Sequence, residues 1–244
     1  MLPLRDLNPT RRFPILTYLL IAINVVVFLW EVSMPEAALQ NVFMTLSVVP
    51  AQISAAPFSL ESMLDAIRSM FFHGGWAHLL GNMLYLYLFG DNVEDYLGKV
   101  LFLIVYFSSG VAAIAAQVLV DPNSTIPLVG ASGAIAGVLG SYLVLYPTVR
   151  VRGLIFLGYF VFIRALPAWL VLGFWFVIQL FSGIASVGVA TDETAQGGVA
   201  FFAHVGGFVL GAAAAFVLMR ALPHPDVEER EKMAYQQREQ HPFF

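Results

Sequence analysis

Gly130-Ala131-Ser132-Gly133-Ala134-Ile135-Ala136-Gly137-Val138-Leu139-Gly140 opens an apolar run that continues to Tyr146. Gly130, Ser132, Gly133, Ala134, Ala136, Gly137 and Gly140 are the small residues that let membrane helices approach closely. One hydroxyl stands among them. Ser132 has two readings. It packs, returning its hydroxyl to a carbonyl one turn back. Alternatively it is a nucleophile at a helix N-terminus, where unpaired N–H groups and the positive end of the helix dipole suit a developing oxyanion.

Composition says what solvent surrounds this run. Of 244 residues, 59% are hydrophobic and 11% charged, against roughly 25% charged in a soluble domain. That much apolar surface requires lipid. Further apolar runs at 14–30, 78–89 (beginning near 71), 100–120, 166–183 and 199–219 bring the predicted spans to six, a crossing needing about 20 residues. The first run follows Arg11 and Arg12 and lacks a small-x-small cleavage site before Met34, so it reads as a retained anchor. A net charge of -4 argues against a nucleic-acid partner. With no cysteine, structural disulfides, thiolate nucleophiles and Cys-ligated zinc are excluded.

The cations orient the chain. With the N-terminus inside, Arg5, Arg11, Arg12, Lys99, Arg150, Arg152, Arg164, Arg220, Arg230, Lys232 and Arg238 fall on the cytoplasmic side, and only Arg68 outside. The organisation expected is a cytoplasmic segment 1–13, a six-span domain 14–220 with an outer connection 33–77, and a cytoplasmic tail 221–244. The fold class is an all-α polytopic membrane protein with both termini cytoplasmic. Residues 153–163, apolar but too short to cross, are expected along the inner interface or as an extension of span five. Met70-Phe71-Phe72 implies partial burial of the outer connection.

Two more constellations carry chemistry. Ala203-His204-Val205-Gly206-Gly207 places an ionisable side chain inside a span, a costly position that reads as functional. Gly206, Gly207 and Gly211 bring that span against a neighbour; if the neighbour carries Ser132, the imidazole reaches the hydroxyl. His73-Gly74-Gly75-Trp76-Ala77-His78-Leu79-Leu80-Gly81-Asn82 puts His78 and Asn82 on one helical face, both able to donate to an anionic oxygen. They could equally satisfy each other. His73 reads as a structural hydrogen-bonder. Without an HExxH motif, no metal is expected. Asn24, Gln117 and Gln179 read as helix-bridging amides, and the carboxylates of 91–95 as caps ordering the inner loop.

At these residues the chain resembles the rhomboid family of intramembrane serine proteases. The resemblance rests on Gly130, Ser132 and Gly133; on Ala203, His204, Gly207 and Gly211; and on His78, Gly81 and Asn82 with Glu94 and Gly98 following. It covers roughly residues 13–220 and implies a six-helix rhomboid-like bundle with a Ser132–His204 catalytic dyad. His78, Asn82 and the Ser132 N–H would bind the oxyanion, with His73, Gly130, Gly133, Glu94, Gly207 and Gly211 in support. It further implies transmembrane protein substrates, no cofactor, a lateral gate at span five, and a cap formed by the loop after it. The active side would be extracytoplasmic, in a bacterial or archaeal plasma membrane. The family places an aromatic ring four residues past the serine, where it stacks on the catalytic histidine; here that position is Ala136, so another group must orient His204. The alternative is a catalytically silent relative that holds membrane clients, although such relatives usually lack the serine or histidine.

Overall fold

The computed structural model describes residues 2–157, 160–186 and 200–222. The tail beyond 222 and most of the connection expected to cap the site lie outside the described residues. The chain is mostly helical. Helix α1 is Ile15–Glu31, and α2 (Glu36–Leu46), α3 (Pro50–Ala55) and α4 (Leu60–Arg68) follow in the long connection. After a 3-10 turn at Ser69–Phe71 come α5 (Trp76–Val120), α6 (Ser132–Leu145), α7 (Ala168–Ser186) and α8 (Phe201–Ala221). Among the described residues, α5, α7 and α8 are long and apolar enough to cross a membrane, and α1 and α6 are shorter apolar helices. The β-branched Ile and Val of α1 and α7 favour strands in water. In lipid a helix satisfies every backbone group internally, and that requirement overrides propensity.

Helix α5 is broken within. Gly98 adopts φ 74° and ψ 166°, a left-handed conformation open to glycine at little cost. The break lies between the two apolar runs read from the sequence. Helix α6 forms the centre, with every residue from Gly133 to Tyr142 buried. Leu86, Phe89, Phe102 and Tyr106 of α5, Leu172 of α7 and Phe208 of α8 complete this core. Outward-facing Val26, Leu29, Val100, Ile104, Phe174, Phe181 and Val217 are exposed, the surface expected of an integral membrane protein rather than one bathed in water.

Residues 91–95 tie one end of the bundle together. The Glu94 carboxylate accepts from Leu16 N (3.0 Å), Thr17 N (2.8 Å) and Thr17 Oγ1 (2.8 Å). It caps α1 from another helix, because Pro14 at the N-cap offers no side-chain acceptor. Arg11 Nε meets Asp95 Oδ2 at 3.1 Å.

The expected all-α class needs correction. Strands β1 (Leu2–Asp6), β2 (Arg150–Leu157) and β3 (Phe160–Pro167) form an antiparallel sheet in the order β1-β2-β3. The segment expected to lie along the interface or to extend span five is therefore a hairpin. Its residues are β-branched and aromatic, and Val151 and Gly153 are buried between the outward Arg150 and Arg152. A continuous short apolar run hides that alternation from a periodicity reading.

The sheet carries one polar core. Asp6 Oδ2 accepts from Tyr142 Oη (3.0 Å) and Asn92 Nδ2 (2.8 Å). Burial, and then repulsion from Asp91, raise the Asp6 carboxyl from 3.8 to about 8, against the opposing Tyr142 hydrogen bond. Between those two values the folded chain keeps a proton that the unfolded chain has released, so stability falls as pH rises from about 4 to about 8. Asp6→Asn should flatten that slope and raise the melting temperature at pH 8. Thermal unfolding in detergent across this range checks it; a wild-type curve already flat there would refute it.

Candidate active site

The glycines of α6 and α8 set the site. A Cβ added at Gly207 would collide with the Gly133 carbonyl, one at Gly211 with the Gly137 carbonyl, and one at Gly140 with the Phe208 carbonyl. Backbone therefore touches backbone, and Ser141 Oγ seals the contact by donating to Gly211 O at 2.9 Å. This approach carries the first residues of both helices together. His204 Nε2 lies 2.8 Å from Ser132 Oγ.

The far side of the ring is also held. His204 Nδ1 lies 2.7 Å from Gln179 Oε1 on α7. An amide oxygen only accepts, so Nδ1 carries the proton and Nε2 is free to accept from the Ser132 hydroxyl. One turn earlier on the same face of α7, the Trp175 ring leans over the imidazole at 5.8 Å between centroids, 37° from parallel. Ala136, buried in the core, offers no ring. Trp175 occupies the role from a different helix. Gln179 does bridge two helices, but through the histidine, a partner that no local pattern indicates. Asn24, read as helix-bridging, donates to Leu20 O of its own helix at 2.7 Å and also faces Tyr106 of α5.

The third constellation arrives from α5. Gly130, at φ 128°, leaves room that a side chain would fill: an added Cβ there would lie 2.7 Å from both Cε1 and Nε2 of His78 and 3.6 Å from Ser132 Oγ. His78 and Ser132 thus flank one small space. Gly74 N donates to His78 Nδ1 at 3.4 Å, which leaves Nε2 protonated and turned toward that space. Asn82 lies one turn further along the same face, buried, with an Nδ2 that has no partner among the described residues. A buried unpaired donor is costly and calls for a ligand or water.

His73 touches neither Ser132 nor His204 in any recorded hydrogen bond. Its N–H donates to the buried Glu31 carboxylate at 3.2 Å, its Nδ1 to Phe71 O at 3.2 Å, and its ring abuts His78 edge-on at 5.1 Å. It backs His78. Glu94 sits at the opposite end of the bundle with α1. Gly130 N donates to Ser69 O at 2.9 Å, and Val48 bridges to Leu128, so the long connection braces the loop entering Ser132. No group of three or more metal-ligating side chains forms among the described residues.

A hydroxyl at a helix N-terminus, an imidazole hydrogen-bonded to it and further donors beside it stand here inside a bundle of apolar helices. The chain belongs to the rhomboid family, whose Rhomboid domain matches residues 61–221. It is 40% identical over 77 residues to the rhomboid protein YdcA of Bacillus subtilis (32% of this chain, 38% of that one). It is 32% identical over 151 residues to Rhomboid protein 1, mitochondrial, of Saccharomyces cerevisiae (58% and 39%). With Rhomboid-like protein 11, chloroplastic, of Arabidopsis thaliana it shares 31% over 105 residues (42% and 37%). The chain thus spans less than half the length of these curated relatives.

If the glycine contact sets the site, Gly211→Ala should lower the melting temperature by several degrees, equivalent to about 1–3 kcal/mol of overpacking. Gly173→Ala, where a Cβ meets nothing within 4 Å, should be neutral or slightly stabilising. Equal responses from the two variants would refute the close-contact argument.

Proposed function

We propose that this protein is an intramembrane serine endopeptidase that cuts transmembrane segments through a Ser132–His204 dyad. The observation that carries the reading is the 2.8 Å contact of Ser132 Oγ with His204 Nε2. Ser132 attacks the scissile carbonyl while His204 Nε2 takes its proton, then delivers it to the leaving amine. The oxyanion forms beside His78 Nε2–H, Asn82 Nδ2–H and the Ser132 N–H, which as the first residue of α6 has no partner within the helix. Water then hydrolyses the acyl-enzyme by the same base. No cofactor is required.

The proposed topology is six spans with both termini cytoplasmic and the site open to the extracytoplasmic side. Gly98 divides α5 into residues 76–97 and 99–120, each of crossing length. Sheet pairing supports the count: β1 precedes α1 and β2 follows α6, and paired strands must share one side of the membrane. The chain therefore crosses an even number of times between them. The 14 residues of α6 cover roughly 21 Å, against a hydrocarbon thickness of about 30 Å. With its C-terminal end at the inner face by the sheet, Ser132 lies below the outer surface, where a substrate helix must unwind to reach it. Segments with Gly or Pro near the cut unwind at lower cost.

A serine-directed fluorophosphonate should label the detergent-solubilised protein, and Ser132→Ala and His204→Ala should abolish labelling. Asn82→Ala should label but cleave a transmembrane substrate about 10²-fold more slowly, the usual loss for one oxyanion donor. A folded wild-type protein that accepts no label would support instead a silent relative that holds membrane clients.

A further inference from the structure

We propose that Gln179 is a positioning residue for the dyad, fixing the tautomer and the plane of His204 from α7. This rests on the Ser132–His204 reading above. Three observations converge on it. The Gln179 Oε1 to His204 Nδ1 distance of 2.7 Å is as short as the catalytic contact on the opposite nitrogen. The amide oxygen accepts only, so it selects the tautomer whose Nε2 lone pair faces Ser132. Trp175, four residues earlier on the same helical face, limits tilting of the ring by stacking against it. Position 136, on the serine's own helix, carries only a methyl group, so the constraint on His204 comes from α7.

The neutral acceptor has a chemical consequence. A carboxylate at this point would place a permanent anion in the apolar interior and would favour the imidazolium before the reaction begins. An amide orients the base without charging it. It holds the same hydrogen bond when Nε2 takes the serine proton and the ring becomes cationic, because Nδ1 donates in both states. The arrangement also makes the base depend on the seating of α7. That helix touches α8 through Trp175 and Phe176, which pack on Phe208.

The test compares wild type, Gln179→Leu, Gln179→Glu, Ser132→Ala and His204→Ala as full-length protein in detergent. Fluorophosphonate labelling rates are measured from pH 5 to 9, with a melting temperature for each variant. Gln179→Leu should slow labelling tenfold or more at pH 7 while still melting cooperatively. Gln179→Glu keeps an acceptor and should recover most of the rate, with the acid limb of its profile displaced to higher pH because the carboxylate stabilises the imidazolium. His78 of α5 is the titratable group facing His204, and it is common to all the variants. Gln179→Leu labelling at the wild-type rate would overturn the proposal, as would Gln179→Glu with an unmoved acid limb. Were Gln179→Leu to lose its fold, the limb displacement in Gln179→Glu would decide alone. Wild type that does not label, or labelling that survives His204→Ala, would instead overturn the dyad reading itself.

Discussion

Everything at the site depends on backbone meeting backbone between α6 and α8. Lipid tails are as apolar as leucine, so no hydrophobic force drives two membrane helices together. Close dispersion contact and interhelical hydrogen bonds must do so instead. Gly133, Gly137 and Gly140 on one helix, with Gly207 and Gly211 on the other, remove the side chains that would keep the axes apart. The distance between Ser132 and His204 is then not free to vary. A serine and a histidine 72 positions apart reach hydrogen-bond distance because five glycines fix the scaffold beneath them.

Most of the bundle's polar groups gather at two ends, with Asn24 and Ser109 buried along α1 and α5 between them. At one end, Glu94 and Asp95 receive the start of α1 and Arg11, while Asp6, Asn92 and Tyr142 join the sheet to the helices. At the other, the histidines, Gln179 and Asn82 surround Ser132. The first set largely pairs among itself, although Asp95 Oδ1 is buried with no partner among the described residues. Around Ser132, the donor Asn82 Nδ2 and the acceptor His73 Nε2 are likewise buried with no partner among the described residues.

Much of this was legible in the residues, for particular reasons. Apolar length located the helices, and the small-residue pattern at 130–140 and 206–211 pointed to the close pair. The intramembrane histidine stood out because burying an ionisable group in lipid is expensive. The sheet was not legible: strands β2 and β3 read as one apolar stretch, and β1 is a five-residue strand at the chain start whose partner lies far along the sequence. Gln179 was visible as a polar residue in a span, but an amide can bridge many neighbours, and only the fold shows which. Ala136 posed the question of what holds His204; the answer lay on a helix that local pattern could not place beside it. The break in α5 was legible as two apolar runs with a charged interval, at the end of which Gly98 leaves helical geometry.

The sheet also sets an order of events during biosynthesis. Strand β1 leaves the ribosome well before β2, the strand it pairs with among the described residues, which follows α6 in the chain. At about 5–20 residues per second, the first strand waits on the order of ten seconds with its edge unpaired. During that interval α1, both halves of α5 and α6 are made. Closure of the sheet therefore follows synthesis of the helix carrying Ser132 and precedes synthesis of the helix carrying His204. An N-terminal strand that cannot pair early protects itself by being short and by carrying Pro3 and Arg5 along its length.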